Sequence, residues 1–181
     1  MSPIQRTWST VCYYFTLLTF RPIHIAIAFN ATGAVRAILK AGEDPNIIAL
    51  RDDEYTPLIM ACTQNPMIVR VLLDNGADPN IRGKDGLAPI HYASKVGHYA
   101  IIESLLLAGA DINGLANGFT PLHYAIQQNS LEGVLTLLRK GADRMIRTPK
   151  NQTALELAVA CKTHQTIIKL LSGELPLPPK L

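Results

Sequence analysis

Apolar positions recur along this chain in short paired bursts, and the same pair returns five times. In the stretch 88–113, APIHYASKVGHYAIIESLLLAGADIN, Pro89 opens an apolar run and Gly97 interrupts it. A second run then carries Ile101, Ile102, Leu105 and Leu106 up to Gly109. Apolar residues three and four apart mark one face of a helix, so the stretch predicts two short helices joined by a turn. Asp111 and Asn113 then begin a polar connection.

The period is regular in two separate ladders. Pro22, Pro57, Pro89, Pro121 and the substituted Ala154 stand 35, 32, 32 and 33 residues apart, while Gly42, Gly76, Gly109 and Gly141 stand 34, 33 and 32 apart. Two ladders with one period mark a repeat architecture. Thr56, Thr120 and Thr153 can cap the first helix of a unit by accepting from its orphan N–H groups, and proline beside the cap loses no hydrogen bond. Leu58, Ile90, Leu122 and Leu155 are expected to point inward. Ala61, Ala93, Ala125 and Ala158 follow them and would let helices approach closely. Asn30, Gly97 and Asn129 fall where the chain turns between helices and tolerate left-handed backbone. The second helices carry Ile38-Leu39, Leu72-Leu73, Leu105-Leu106, Leu137-Leu138 and Leu170-Leu171, and the glycine ladder ends four of them. Asp44-Pro45-Asn46, Asp78-Pro79-Asn80 and Asp111-Ile112-Asn113 start turn-rich connections suited to projecting hairpins, the kind of loop on which recognition usually sits.

Residues 87–93, LAPIHYA, and 119–125, FTPLHYA, resemble the T-P-L-H-x-A signature of ankyrin repeats. Residues 76–80, GADPN, and 109–113, GADIN, resemble the family's G-A-D-x-N turn. The resemblance runs from about Pro22 to Gly173. It implies an all-α fold, an ankyrin-repeat solenoid of stacked helix-turn-helix units with projecting β-hairpin-like loops. About five repeats are expected near 21–54, 55–86, 87–118, 119–151 and 152–175, making a domain over 21–175. The departures are local. Arg21 stands where the capping Thr is expected, repeat five has Ala154 and Glu156 for Pro and His, and repeat two is one residue short near Gln64–Pro66. Glu54 replaces the hairpin glycine seen as Gly86 and Gly118, which predicts a different first finger, and Arg144 and Met145 break the turn pattern.

Residues 1–20 match no repeat. Trp8, Val11, Cys12, Phe15 and Leu18 follow helical spacing and predict an N-terminal apolar cap helix over the first repeat. The run is shorter than the roughly 20 apolar residues of a bilayer span, and it lacks the basic face of a membrane-surface helix. Its loose likeness to a secretory signal would put the cleavage inside the first repeat helix. Residues 176–181 read as a proline-rich tail.

Composition narrows the function. The 181 residues are 48% hydrophobic and 17% charged, with net charge +3. That balance excludes wholesale disorder and gives no concentrated basic face for nucleic acid. Cys12, Cys62 and Cys161 are widely spaced and odd in number, which favours a reducing compartment and gives no metal or disulfide framework. No phosphate-binding glycine loop is present. His24, His91 and His123 occupy the fourth position of the repeat signature, where the resemblance implies a structural bond between units. Cys161 and His164 are separated by a helix break and lack a third orienting group, so no catalytic set is expected, and no cofactor.

The resemblance implies binding to another protein through hairpin tips and the exposed side of the first helices. By position this gives Tyr55, Leu87, Phe119 and Gln152 at finger ends, with Phe20 outside the repeats proper, and Lys95, Val96, Gln127 and Gln128 on the inner helices, beside Phe29, Thr63 and Gln64. Asp52, Asp53 and Glu54 make the first finger acidic, while Arg82 and Lys84, and later Arg144, Arg147 and Lys150, make others basic. Such an asymmetry could orient a partner. The expectation is therefore a monomeric adaptor or steric inhibitor in the cytoplasm, with nucleus or host-cell cytosol as variants, using neither nucleic acid nor a small-molecule substrate. The alternative is an adaptor tethered to a membrane through the N-terminal apolar segment, including a bacterial effector acting in a host cell.

Overall fold

The computed structural model describes residues 21–49 and 54–177. The predicted cap helix over 1–20, Asp52 and Asp53, and the end of the proline-rich tail lie outside the described residues.

Among the described residues the chain forms ten α-helices in five pairs: α1 Pro22–Ala28 and α2 Thr32–Lys40, α3 Pro57–Ala61 and α4 Pro66–Asp74, α5 Pro89–Val96 and α6 Tyr99–Leu107, α7 Pro121–Gln127 and α8 Leu131–Arg139, α9 Ala154–Ala160 and α10 Gln165–Ser172. The starts follow local chemistry. Thr56, Thr120 and Thr153 hold extended backbone and accept from the N–H groups of Ile59, His123 and Glu156, each three residues on. At Ala88 no hydroxyl is present, and the ring of His91 takes over from the other direction: its Nδ1 accepts from the Ala88 N–H at 3.2 Å. Most turns inside a pair pass through one left-handed residue, with φ of +54° at Asn30, +81° at Gly97, +54° at Asn129 and +53° at Lys162. The short second pair has none. Asn65 instead stays extended and caps α4 through the Met67 N–H.

Each first helix packs on the next first helix, and each second helix on the next second helix, giving two layers that run the length of the array. The all-α stacked solenoid is therefore present as expected. Its core is continuous: Ile27, Leu58, Ile68, Leu72, Ile90, Ile101, Leu105, Leu122 and Leu137 are within 1% of complete burial, and Ala61, Ala93, Ala125 and Ala158 are fully buried at the close approaches between first helices. Leu155 differs from its counterparts. It is only half-buried, because repeat five has no following repeat among the described residues to cover it.

The connections between pairs are fingers closed by tight reverse turns. In the third, Asn117 and Gly118 have φ of +52° and +80°, and Ala116 and Phe119 exchange both backbone hydrogen bonds at 2.9 Å. This is the geometry that an Asn-Gly pair favours in a two-residue hairpin. Glu54 adopts φ +48° in place of glycine, so the first finger keeps a left-handed turn residue despite the substitution.

Candidate protein-binding face

The face formed by the fingers and the exposed ends of the first helices is held in place by two sets of side chains that tie helices to fingers and one repeat to the next. The first set is histidine. From Nε2, His24 bonds the Tyr55 carbonyl of the next unit at 3.0 Å, and His91 bonds the Gly114 carbonyl at 2.8 Å in the finger that leads out of its own unit. Because His91 Nδ1 accepts from Ala88, its Nε2 carries the proton and donates. His123 Nδ1 likewise accepts from the Thr120 N–H, while its Nε2 faces the Ile146 backbone without a bond of normal geometry. Burial is the main reason all three imidazoles are held below the usual range, favouring the neutral ring these bonds need.

The second set is asparagine. Asn46 donates to the Gly76 carbonyl at 3.2 Å and accepts from the Asp78 N–H at 2.8 Å, and Asn80 does the same with Gly109 and Asp111 at 3.1 and 3.0 Å. Asn113 accepts from the Asp143 N–H at 2.9 Å. Each amide satisfies backbone groups at the end of the next second helix, which have no partner within that helix. In repeat four Met145 takes the equivalent position and is exposed. There Arg144 makes the link instead, donating to the Leu171 carbonyl at 3.2 Å.

On this frame the expected contact residues divide. Lys95, Val96, Gln127 and Gln128 are exposed at the ends of α5 and α7, in line with Phe29, Thr63 and Gln64 on the earlier units. Tyr55, Phe119 and Gln152 are half-buried. The Tyr55 ring meets Tyr92 edge-on at 5.7 Å, and Phe119 lies 5.9 Å from Tyr124 and 6.1 Å from His123. A Cβ added at Gly83 would stand 3.2 Å from the Tyr55 ring, so the second finger lies directly against it. These aromatics therefore pack fingers onto helices and also show an edge to solvent.

Leu87 corrects the expectation. It is 5% exposed and offers a partner almost no surface. Its N–H is held by the Asp85 carboxylate at 3.1 Å, and that same carboxylate accepts from the Tyr92 hydroxyl, turning Leu87 inward. Burial, followed by this bond, raises the Tyr92 hydroxyl above the usual range.

The basic finger residues act partly as fasteners. Arg82 donates to the carbonyls of Gly86 and Leu115 at 2.9 and 2.7 Å, and Arg147 donates to the Asn151 carbonyl at 2.7 Å and pairs with Glu156 at 3.5 Å. Lys84 and Lys150 are exposed. A row that sequence reasoning missed also emerges. Two residues beyond each Asn46-type position stand Ile48, Arg82, Leu115 and Arg147, all exposed, alternating apolar and basic along the finger bases. The asparagine register is the signal that would have found it.

Two other surfaces bear on chemistry. Cys161 caps α9 and His164 caps α10, where its Nδ1 engages Thr166 at 3.0 Å; Cys62 is buried, and its thiol is raised by that burial. Among the described residues no three His, Cys, Asp or Glu converge as a metal-ligand set, and no helix is long and apolar enough to cross a membrane.

Paired helices, inter-repeat histidines and asparagine turns define a repeat protein of the ankyrin type. The family model for Ankyrin repeats (3 copies) matches residues 23–116 and 90–175, and the chain belongs to the ankyrin-repeat family. It is 34% identical over 171 residues to a putative ankyrin repeat protein of Fowlpox virus (strain NVSL), covering 90% of this chain and 50% of that protein. It is 31% identical over 144 residues to the B-cell lymphoma 3 protein homolog of Mus musculus, covering 76% and 32%. It is 30% identical over 139 residues to the Neurogenic locus notch homolog protein 1 of Mus musculus, covering 75% and 5%. The chain thus spans half or less of the length of these relatives. Ankyrin repeats are protein–protein interaction modules.

Proposed function

We propose that the chain is a non-enzymatic adaptor or steric inhibitor that binds one protein across its fingers and first-helix ends. The contact set is Lys95, Val96, Gln127 and Gln128, with Tyr55, Phe119 and Gln152 at the finger ends and Arg82 and Lys84 on the second finger. Ile48 and Leu115 extend it. The observation that carries this reading is the division of labour among side chains. The histidines and asparagines common to the repeats are spent on bonds that fix the fingers and join the units, while Lys95, Val96, Gln127 and Gln128, which differ from unit to unit, stand exposed on this face. Such a face is ordered before a partner arrives, so little conformational entropy is lost on binding. Its aromatics are the residue type that most often anchors an interface. The protein acts as a monomer in the cytoplasm, or in the nucleus or a host-cell cytosol, and needs neither a small-molecule substrate nor nucleic acid.

The test is affinity capture followed by mass spectrometry. The exposed substitutions Lys95→Glu, Val96→Glu and Gln128→Glu, combined, should leave the thermal transition in place and abolish capture of the proteins held by wild type. Undiminished capture by this variant would sink the assignment of the face.

A further inference from the structure

The second-helix layer carries a feature that the finger face does not use. Outward-facing positions on second helices are ordinarily polar, since an amphipathic helix turns only one stripe to the core. Helix α6, YAIIESLLL, carries a single charge, Glu103, which is engaged by Lys140 at 3.6 Å. Its outward side presents Tyr99 at 53% exposure and Leu107 at 81%. Leu107 stands on the lip of an open groove of about 300 Å³ between α4 and α6, lined by Arg70, Leu73, Asp74, Ser104, Leu107 and Ala108. A second depression of about 140 Å³ lies between α2 and α4 and shares Asp74, adding Arg36, Lys40, Val71 and Asn75.

We propose that this groove is a second protein-binding site, distinct from the finger face, which takes an acidic amphipathic segment and seats one of its large apolar side chains against Leu73, Leu107 and Ala108. Charge selects the occupant. Along the two depressions three cations, Arg36, Lys40 and Arg70, face one carboxylate, Asp74. The Arg70–Asp74 pair is long, at 4.0 Å, with both side chains about two-thirds or more exposed, so it holds Arg70 only weakly. Among the described residues Arg36 and Lys40 have no ion-pair partner. A second copy of this chain would bring the same cations against one another and is disfavoured. A small molecule is disfavoured as well, because only two helices wall the groove and much of its surface would remain in water, whereas ligand sites bury most of theirs. A helix laid along a groove between two helices meets both demands, with apolar anchors below and acids at the rim.

The test selects a phage-displayed random peptide library on the intact chain, with depletion on Leu107→Gln. Since Leu107 is exposed, that variant should melt with wild type, and the triple variant Arg36→Gln, Lys40→Gln, Arg70→Gln serves as an independent probe. The expected result is enriched peptides carrying Asp or Glu around an apolar residue. Either variant should weaken these peptides about tenfold or more, the scale of losing one anchor, with binding also falling as salt rises. The variant lacking the exposed Lys95, Val96 and Gln128 side chains should bind them unchanged. The inference is overturned if no peptide depends on Leu107, if the dependent peptides are neutral or basic, or if ultracentrifugation shows self-association that Leu107→Gln removes.

Discussion

Lowering the pH should dismantle this array from within, and the three buried histidines set the scale. His24, His91 and His123 are at most 1% exposed, and burial is the main cause that lowers each imidazole from the usual value near 6.5. In the fold the rings are neutral, since His91 and His123 use Nδ1 as an acceptor for the N–H groups of Ala88 and Thr120. In the unfolded chain they bind protons below about pH 6.5. A depressed folded-state value therefore contributes stability that is fully present above about 6.5 and is lost as the pH falls toward that value. Each histidine that is protonated only when unfolded lowers the unfolding free energy by about 1.4 kcal/mol per pH unit, so three acting together give at most about 4 kcal/mol per unit. Against the roughly 5–15 kcal/mol of an ordinary domain, that slope is large enough to register within a single pH unit below 6.5. Urea titrations between pH 7.5 and 5 measure the slope directly, and potentiometry of the same transition counts the protons taken up. The variant His91→Gln should start less stable, with a slope shallower by about one proton. A stability flat from pH 7 to 5.5, or a slope indifferent to His91→Gln, would refute the reasoning.

Two further outcomes follow from the frame. Asn80→Ala removes bonds to the Gly109 carbonyl and the Asp111 N–H, and should cost about 1–3 kcal/mol in the urea midpoint at unchanged helical content. Glu54→Gly relieves a left-handed residue at φ +48° and should raise stability by up to about 1 kcal/mol, whereas the same change at Glu103, inside α6, should lower it.

The pairing of helices was legible because its signals are local. Proline beside a threonine starts a helix, glycine ends one, and Asn30, Gly97 and Asn129 take the left-handed backbone their positions predict. What stayed hidden depends on reach into the neighbouring unit. The Asn46, Asn80 and Asn113 side chains looked like turn residues, yet their bonds land about thirty residues away, on the end of the next helix. Leu87 looked like a fingertip because its counterparts are the aromatic Tyr55 and Phe119. Its inward turn is decided by the Asp85 carboxylate, which also holds Tyr92. Arg82 and Arg147 read as free surface charge, but carbonyls within their own fingers claim part of their hydrogen-bonding capacity. The outward apolar side of α6 is present in its letters, but a run of leucines does not say which of them faces out.

The asparagine ladder has a consequence for how the chain assembles. The hydrogen bonds between units described above join residues 27 to 33 apart, never skipping a repeat. Closing each loop costs little more than closing the one before it, so order can spread stepwise from whichever unit forms first. The step into the last unit lacks the finger asparagine, since Met145 stands where it would, and is held instead by the Arg144 contact and by the Asn129 amide, which accepts from the His164 N–H at 2.7 Å. That seam is where the array should come apart first under tension, leaving the central repeats and the surface they carry intact while the final helix pair swings away.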